Sequence, residues 1–150
     1  MNAARADWHD RCCRHGMRRF LGLLCLLCVT ACDSPTGPSV NVDERFTLSA
    51  GESARVASTD VTLTFVDVQG DSRCPADAIC IQGGDANVRV RAADGSRTET
   101  VELHTGDSSR ASAQYQGFRI VLADLQPYPF SSRPPIGAGD YRATLVVSRN

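Results

Sequence analysis

Apolar and polar residues alternate with a period of two along most of the chain after Asp43. Segments 61–65, 88–92 and 141–147 each place an apolar side chain at every second position, which is typical of β-strands with one buried face. Apolar residues nowhere recur at helical spacing over enough length to predict a helix. The pattern therefore predicts an all-β domain, an antiparallel β-sandwich of seven or eight short strands. An immunoglobulin-like topology is one version of this fold, and a small β-barrel is the alternative.

Turn-forming residues separate the predicted strands. The segment Ala93-Asp-Gly-Ser96 predicts a hairpin turn that leads into a strand over Thr98–His104. A polar loop is expected over 106–113, followed by a strand over 115–122. Four prolines between 127 and 135 exclude a central strand from that stretch.

The first 32 residues have the organisation of a secretory signal. Met17-Arg-Arg19 precedes an apolar run over 20–29, and small residues follow it. This run is too short to cross a bilayer. Residues 1–16 are polar and predict no fold, so translation starts either at Met1, with a long N-terminal region, or at Met17.

The end of this segment, Val29-Thr-Ala-Cys32, resembles the lipobox of bacterial lipoproteins. The resemblance implies cleavage before Cys32, a diacylglycerol on its thiol and a fatty acyl chain such as palmitate on the new amine. Two or three acyl chains anchor a protein far more stably than one. The expected location is therefore the bacterial cell envelope, on the inner or the outer membrane, facing the periplasm or the cell exterior. The alternative is an ordinary signal peptide that leaves Cys32 as a free thiol.

Composition divides the remaining chain into a tether and one domain. Proline, glycine and hydroxyl residues predict a flexible tether over 33–43, and residues 44–150 are expected to form a single β domain. The part after Cys32 carries 11 arginines and 15 carboxylates, a net charge of −4. This charge argues against a nucleic-acid partner and against electrostatic docking on anionic lipid.

The stretch Gly70–Asp85 holds the only two cysteines after Cys32. Cys74 and Cys80 enclose five residues, and so short a loop can bring two Cα atoms within the roughly 7 Å that a disulfide tolerates. An oxidising compartment favours a structural disulfide. A redox pair is disfavoured because the spacing is not C-x-x-C. A zinc site is disfavoured because zinc needs four ligands and this stretch supplies only two cysteines.

The same stretch carries a family resemblance. The run from Asp71 to Pro75, followed by Cys80, Gly84 and Ala86, resembles the DSRCP core of an uncharacterised family of secreted and lipid-anchored bacterial domains. The resemblance implies a fold and a compartment but no reaction, since the family has no established biochemical function.

Two later segments extend this resemblance to about residues 45–148. Leu125-Gln-Pro-Tyr-Pro129 and Tyr141-Arg-Ala-Thr-Leu145 match the closing segments of the family. The chain departs from it at Ile81-Gln-Gly-Gly-Asp85, where relatives have V-W-A-G-N. If that tryptophan binds a ligand in the relatives, its loss separates this chain from the shared activity.

Candidate catalytic residues are few. All 16 basic residues are arginines, so Schiff-base chemistry, a Ser-Lys dyad and a P-loop are excluded. His104 is the only histidine after Cys32, and a strand-end or surface position is expected for it. A hydrolase would need a serine or carboxylate within hydrogen-bond reach of this ring in a concave site.

Three loop carboxylates, Asp71, Asp77 and Asp85, are candidates for paired acids or for a calcium site, but they lack the spacing of a calcium-binding loop. They are expected to be solvated, and no metal or cofactor is predicted. Tyr128 and Phe130 are expected to pack across one end of the sandwich, with a small aromatic contact surface as the alternative.

These observations predict a lipid-anchored envelope lipoprotein with a non-enzymatic binding domain. Its partner would be an envelope protein, a glycan or a small ligand, and its oligomeric state stays open. The alternatives are an inhibitor of secreted proteases, since a disulfide-fixed loop is already ordered, and a small secreted hydrolase that uses His104. The residues predicted to form the binding loop are Asp71, Arg73, Asp77, Gln82, Asp85, Tyr128 and Phe130.

Overall fold

A computed structural model describes residues 37–150, which lie in one compact unit. The signal segment and Cys32 lie outside the described residues. The described chain contains nine strands and one short 3₁₀ helix, and none of its helices is long and apolar enough to cross a membrane. The elements are β1 (Ser39–Val40), β2 (Arg45–Ser49), β3 (Ser53–Val56), β4 (Thr62–Asp71), β5 (Ala86–Ala93), β6 (Thr98–His104), β7 (Ser112–Tyr115), β8 (Phe118–Gln126), the 3₁₀ helix (Ala138–Asp140) and β9 (Arg142–Arg149).

The strands form two separate sheets, which confirms the predicted β-sandwich. The first sheet has the order β1-β3-β4-β5-β6 and the second the order β2-β9-β8-β7. Strands 3 to 6 and strands 7 to 9 are each successive antiparallel neighbours. Within the described residues, consecutive strands switch between the sheets at β1 to β2, β2 to β3 and β6 to β7.

The core between the sheets is built from the alternating apolar positions. In β5, residues 86, 88, 90 and 92 are buried, and in β9, residues 143, 145 and 147 are buried. The largest fully buried side chains come from both sheets. They are Phe65, Leu48, Leu63, Leu103, Ile120, Leu125, Leu145, Val56, Val88, Val90 and Val147.

The predicted hairpin between β5 and β6 is confirmed, with Gly95 at φ +82°. A second hairpin was not predicted. Ser112–Tyr115 forms an edge strand, and Gln116 and Gly117, both at positive φ, turn the chain directly into β8. Two successive residues at positive φ produce the tight turn whose twist suits a two-residue hairpin.

The ordered sheet also begins within the segment assigned to the tether. β1 pairs with β3 in parallel, and the Arg55 amide donates to the Pro38 carbonyl at 3.0 Å. Val40 and Val42 pack partly against the core. The domain therefore includes residues from Pro38 onwards, because two valines in this stretch have apolar surface to bury.

A β-bulge in β8 changes which residues face the core. Leu122 pairs with Leu145 and Asp124 pairs with Thr144, so Ala123 is an extra residue without a partner. Leu125 is consequently buried, whereas Ala123 and Asp124 are exposed. Bulges are known to redirect side chains in this way, and here the bulge turns Asp124 outward near the end of the strand.

Candidate functional site

One end of the sandwich gathers the residues predicted to form the binding loop. β4 and β6 end there, β5 begins there, and the last residues of β8 pair with the first of β9. Two long connections meet at this end. We call residues 72–85 the stapled loop and residues 127–135 the proline-rich loop.

The base of the stapled loop is closed by its first and last residues. The amide and hydroxyl of Ser72 donate to the Asp85 carbonyl at 2.7 and 2.9 Å. Gly84 lies so close to the Ser72 backbone that an added Cβ would stand 1.6 Å from the Ser72 carbonyl oxygen. Within the loop, Cys74 and Cys80 lie at disulfide distance, with their Cα atoms 6.0 Å apart.

Arg73 fastens the stapled loop to the ends of the core strands. Its side chain is only 5% exposed. Nε and Nη2 donate to the two carboxylate oxygens of Asp71 at 2.9 and 2.6 Å, while Nη1 and Nη2 donate to the carbonyls of Leu125 and Pro127 at 2.7 and 2.9 Å. The guanidinium also lies 5.0 Å from the ring centre of Tyr128. Four of the five N–H donors that a guanidinium offers are thus satisfied.

The Asp71 carboxylate is shaped by this contact and by Tyr141. Burial raises the pKa of Asp71, but the hydrogen bonds from Arg73, its positive charge and the Tyr141 hydroxyl at 3.1 Å more than offset that, so the pKa is lowered. Burial, followed by the charge of Asp71, raises the pKa of Tyr141. Asp71 is therefore ionised and Tyr141 neutral near pH 7. We call Asp71, Arg73, Tyr128 and Tyr141 the Arg73 cluster.

The outer half of the stapled loop is fixed to the proline-rich loop. The Ala76 amide donates to the Pro129 carbonyl at 2.9 Å, and the Asp77 carboxylate accepts the amides of Ser131 and Ser132 at 2.6 and 3.0 Å. Hydrogen bonds from these serines lower the pKa of Asp77. Asp77 is exposed to solvent, as expected, and its carboxylate also joins the two loops.

The residues on either side of Cys80 face solvent completely. Ile79 and Ile81 have exposed fractions of 104% and 103%, while Gln82 beside them is exposed as well. The half-buried Phe130 stacks under the Arg133 guanidinium at 4.3 Å. The two isoleucines are therefore an apolar tip on a loop that is held at both its base and its outer half.

His104 ends β6, as expected, but it is buried rather than a surface residue, with 7% exposure. Its Nδ1 lies 2.5 Å from Asp85 Oδ2. Burial raises the pKa of Asp85, but the His104 ring and the Gly106 amide at 2.8 Å lower it by more. Asp85 is consequently ionised, and its carboxylate accepts a hydrogen bond from the N–H at Nδ1 of His104.

A cleft of about 240 Å³ opens beside this pair. Arg73, His104, Leu122, Asp124, Leu125 and Tyr128 are among its lining residues. The Asp85 carboxylate supplies the group within reach of His104 that a hydrolase would need. Thr105 also lines the cleft, and the described lining residues include no serine and no cysteine.

The structure distributes the predicted binding residues over three contacts. Asp71, Arg73 and Tyr128 meet in the Arg73 cluster, Asp77 fastens the outer loop near Phe130, and Asp85 holds His104. The three carboxylates therefore have separate partners, and the described residues contain no group of three or more potential metal ligands. Tyr128 is 43% exposed at the mouth of the cleft.

Several site residues were missed from the sequence. Ile79 and Ile81 gave a signal, since large aliphatic residues beside a cysteine in a turn-rich segment have little core to enter. Asp124 and Tyr141 gave no such signal. The exposure of Asp124 depends on the bulge in β8, and the role of Tyr141 depends on its contact with Asp71, 70 residues away in sequence.

We expect Asp71→Asn to lower the free energy of unfolding by about 3–5 kcal/mol at pH 7, because it leaves the Arg73 charge buried without its partner. Asp67→Asn is the matched control. Asp67 and Arg89 form the same two-point contact but are 36% and 35% exposed, and such pairs contribute about 0–1 kcal/mol. Urea unfolding of the three proteins measures both losses.

Acidification provides a second readout of this prediction. The lowered pKa of Asp71 makes its contribution complete above the unfolded value of about 3.9, and it is lost as the pH falls through the folded pKa. The gap between wild type and Asp71→Asn should therefore narrow on acidification. Equal losses for the two variants, or a gap that does not change with pH, would contradict the prediction.

We expect Gly84→Ala to lower the free energy of unfolding by about 1–3 kcal/mol, as overpacking does, because the new Cβ meets the Ser72 backbone. Gly83→Ala is its neighbouring control, since nothing lies within 4 Å of a Cβ there. That change should be neutral or should stabilise by up to about 1 kcal/mol. Urea unfolding midpoints distinguish the two, and similar effects would show that the close approach at Gly84 is unimportant.

No family model, curated protein or solved structure matches this chain.

Proposed function

We propose that this protein is a lipid-anchored lipoprotein of the bacterial cell envelope, and that its β-sandwich is a non-enzymatic module that binds another protein. The contact surface is the tip formed by Ile79 and Ile81. The observation that carries the proposal is their complete exposure on a loop that is otherwise held in place.

The exposed isoleucines offer binding energy that the fold does not use. Burying a side chain of this size is worth about 1.5–3 kcal/mol relative to leaving it in water. A single exposed aliphatic residue is ordinary on a protein surface, but here two of them flank Cys80 on one loop. A partner that covers both side chains gains this energy from adjacent positions.

The loop that carries the isoleucines needs little ordering when it binds. The cysteine pair, the Ala76 amide and the Asp77 carboxylate hold it on the protein side. Ordering loops and side chains is one of the main costs of association. The same rigidity favours inhibition of a secreted protease as a second candidate function, because an exposed rigid loop suits a protease cleft.

A protein is a better occupant for this surface than a membrane. The chain after Cys32 has a net charge of −4, which opposes approach to anionic lipid. Two aliphatic side chains also add little to an anchor of two or three acyl chains at Cys32. The anchor would keep the module near envelope proteins while leaving the loop tip available to them.

The anchor is tested by the intact mass of the protein purified from membranes of a lipoprotein-competent bacterial host. We expect a chain that begins at Cys32 with acyl chains attached, and a gain of about 2 Da on reduction as Cys74 and Cys80 take up two hydrogens. An unacylated, soluble product with both thiols free would contradict the anchor and the disulfide together.

The contact surface is tested by photo-crosslinking in the same membranes from a photoreactive residue at position 81. We expect a discrete protein adduct that decreases at least fivefold when Ile79→Ser is added. Glu99→Ser, at an exposed position of β6 away from the loop, is the control and should leave the adduct unchanged. Both substitutions replace exposed side chains, so neither should alter stability by more than about 0.5 kcal/mol.

Other adducts would identify other occupants. Crosslinks to lipid alone would replace the protein partner by the membrane, and adducts insensitive to Ile79→Ser would reject the isoleucine tip. Dose-dependent inhibition in a panel of secreted proteases, lost in the Ile79→Ser protein, would select the second candidate.

A further inference from the structure

His104 has a ring nitrogen that no described contact uses. The side chain is 8% exposed and lines the cleft. Nε2 makes no hydrogen bond within residues 37–150. It is not fully buried either, so it remains accessible to solvent. A largely buried imidazole with one free nitrogen facing a cleft is a hydrogen-bonding position for a ligand.

The partner of the other nitrogen determines what Nε2 can do. The ionised Asp85 carboxylate accepts a hydrogen bond from Nδ1, and a neutral imidazole with a proton on Nδ1 has a lone pair on Nε2. In this neutral form His104 presents an acceptor to the cleft. The ligand has to supply the donor.

Asp124 adds a second acceptor to the same cleft. The β8 bulge leaves its carboxylate exposed, and the Gln126 amide at 3.1 Å occupies only part of its capacity. The Thr105 hydroxyl, in contrast, already accepts from the Ala86 amide and lies 3.3 Å from Asp85. The cleft thus offers two acceptors and few free donors.

Arg73 does not make the cleft an anion site. Asp71 neutralises its charge, and four of its N–H groups have partners. The carboxylates of Asp85 and Asp124 would repel an anion further. A ligand that is rich in hydroxyl donors and carries no negative charge fits these groups better.

Tyr128 provides an apolar face at the mouth of the cleft. Arg73 lies over one face of the ring at 5.0 Å, which holds the ring in place. The 43% of Tyr128 that remains exposed can pack on a neutral C–H surface. Leu122 and Leu125 add apolar lining on the inner side.

We propose that this cleft binds one sugar ring of a neutral glycan. Ring hydroxyls donate to His104 Nε2 and to Asp124, and the C–H face of the ring packs against Tyr128. The volume of about 240 Å³ is below the roughly 300–1,000 Å³ of pockets for drug-sized ligands, so a single ring enters and the rest of the chain stays outside. The site is separate from the isoleucine tip and does not depend on it.

The experiment uses the sole histidine after Cys32 as its reporter. The full chain is purified from membranes in a detergent without a sugar headgroup, and the His104 imidazole resonances are followed by NMR. Chitotetraose, cellotetraose and maltotetraose are titrated separately to 50 mM. We expect at least one of them to produce a saturable shift, together with heat in calorimetry.

Two variants and one control define the site. Asp124→Asn and Tyr128→Ala remove the carboxylate charge and the aromatic ring, and we expect each to weaken binding at least fivefold. Asp60→Asn removes an exposed carboxylate from the turn between β3 and β4, at the other end of the sandwich, and should leave binding unchanged.

Three results would overturn the proposal. One is the absence of a saturable shift with all three tetrasaccharides. Another is a sugar response that Asp124→Asn does not weaken. The third is saturable binding of spermidine or of inorganic phosphate in place of the sugars, which would assign the cleft to a cation or an anion.

Discussion

The contact between Arg73 and Asp71 is the interaction on which the functional end of this protein depends. It joins the end of β4 to the carbonyls of Leu125 and Pro127 at the end of β8, and through Asp71 it reaches Tyr141 at the start of β9. A buried ion pair is weak evidence for added stability, because desolvation offsets much of the attraction. Its consequence here is geometric, since it fixes where both long loops leave the two sheets.

The cysteine pair and the Arg73 cluster constrain different parts of the stapled loop. Cys74 and Cys80 close its outer turn, whereas Arg73 holds its base against the core. With only the cysteine pair, the loop would be compact but free to move as a unit. With both, Ile79 and Ile81 keep a defined position relative to the cleft, so one rigid end of the domain can carry two separate surfaces.

The alternation of apolar residues was sufficient to predict the sandwich but not its exceptions. The sequence predicts a loop up to residue 113 and a strand only from residue 115, whereas Ser112–Tyr115 is an edge strand. An edge strand with few apolar residues has no clear alternation. The buried positions of β8 move from Leu122 to Leu125 across the bulge. That change of phase is visible in the sequence only once a bulge is assumed, and Asp124 enters the cleft for the same reason.

The carboxylates of the stapled loop show why residue types alone did not define the site. Asp71, Asp77 and Asp85 lie close in sequence, which made a shared acidic site a reasonable hypothesis. Each of them is instead satisfied by a donor of its own, from Arg73, from backbone amides or from His104. Like charges avoid a common site unless a cation holds them together. These acids therefore position the loops and the imidazole, and the groups left with unused binding capacity are the isoleucine tip, the Tyr128 ring, the Asp124 carboxylate and His104 Nε2.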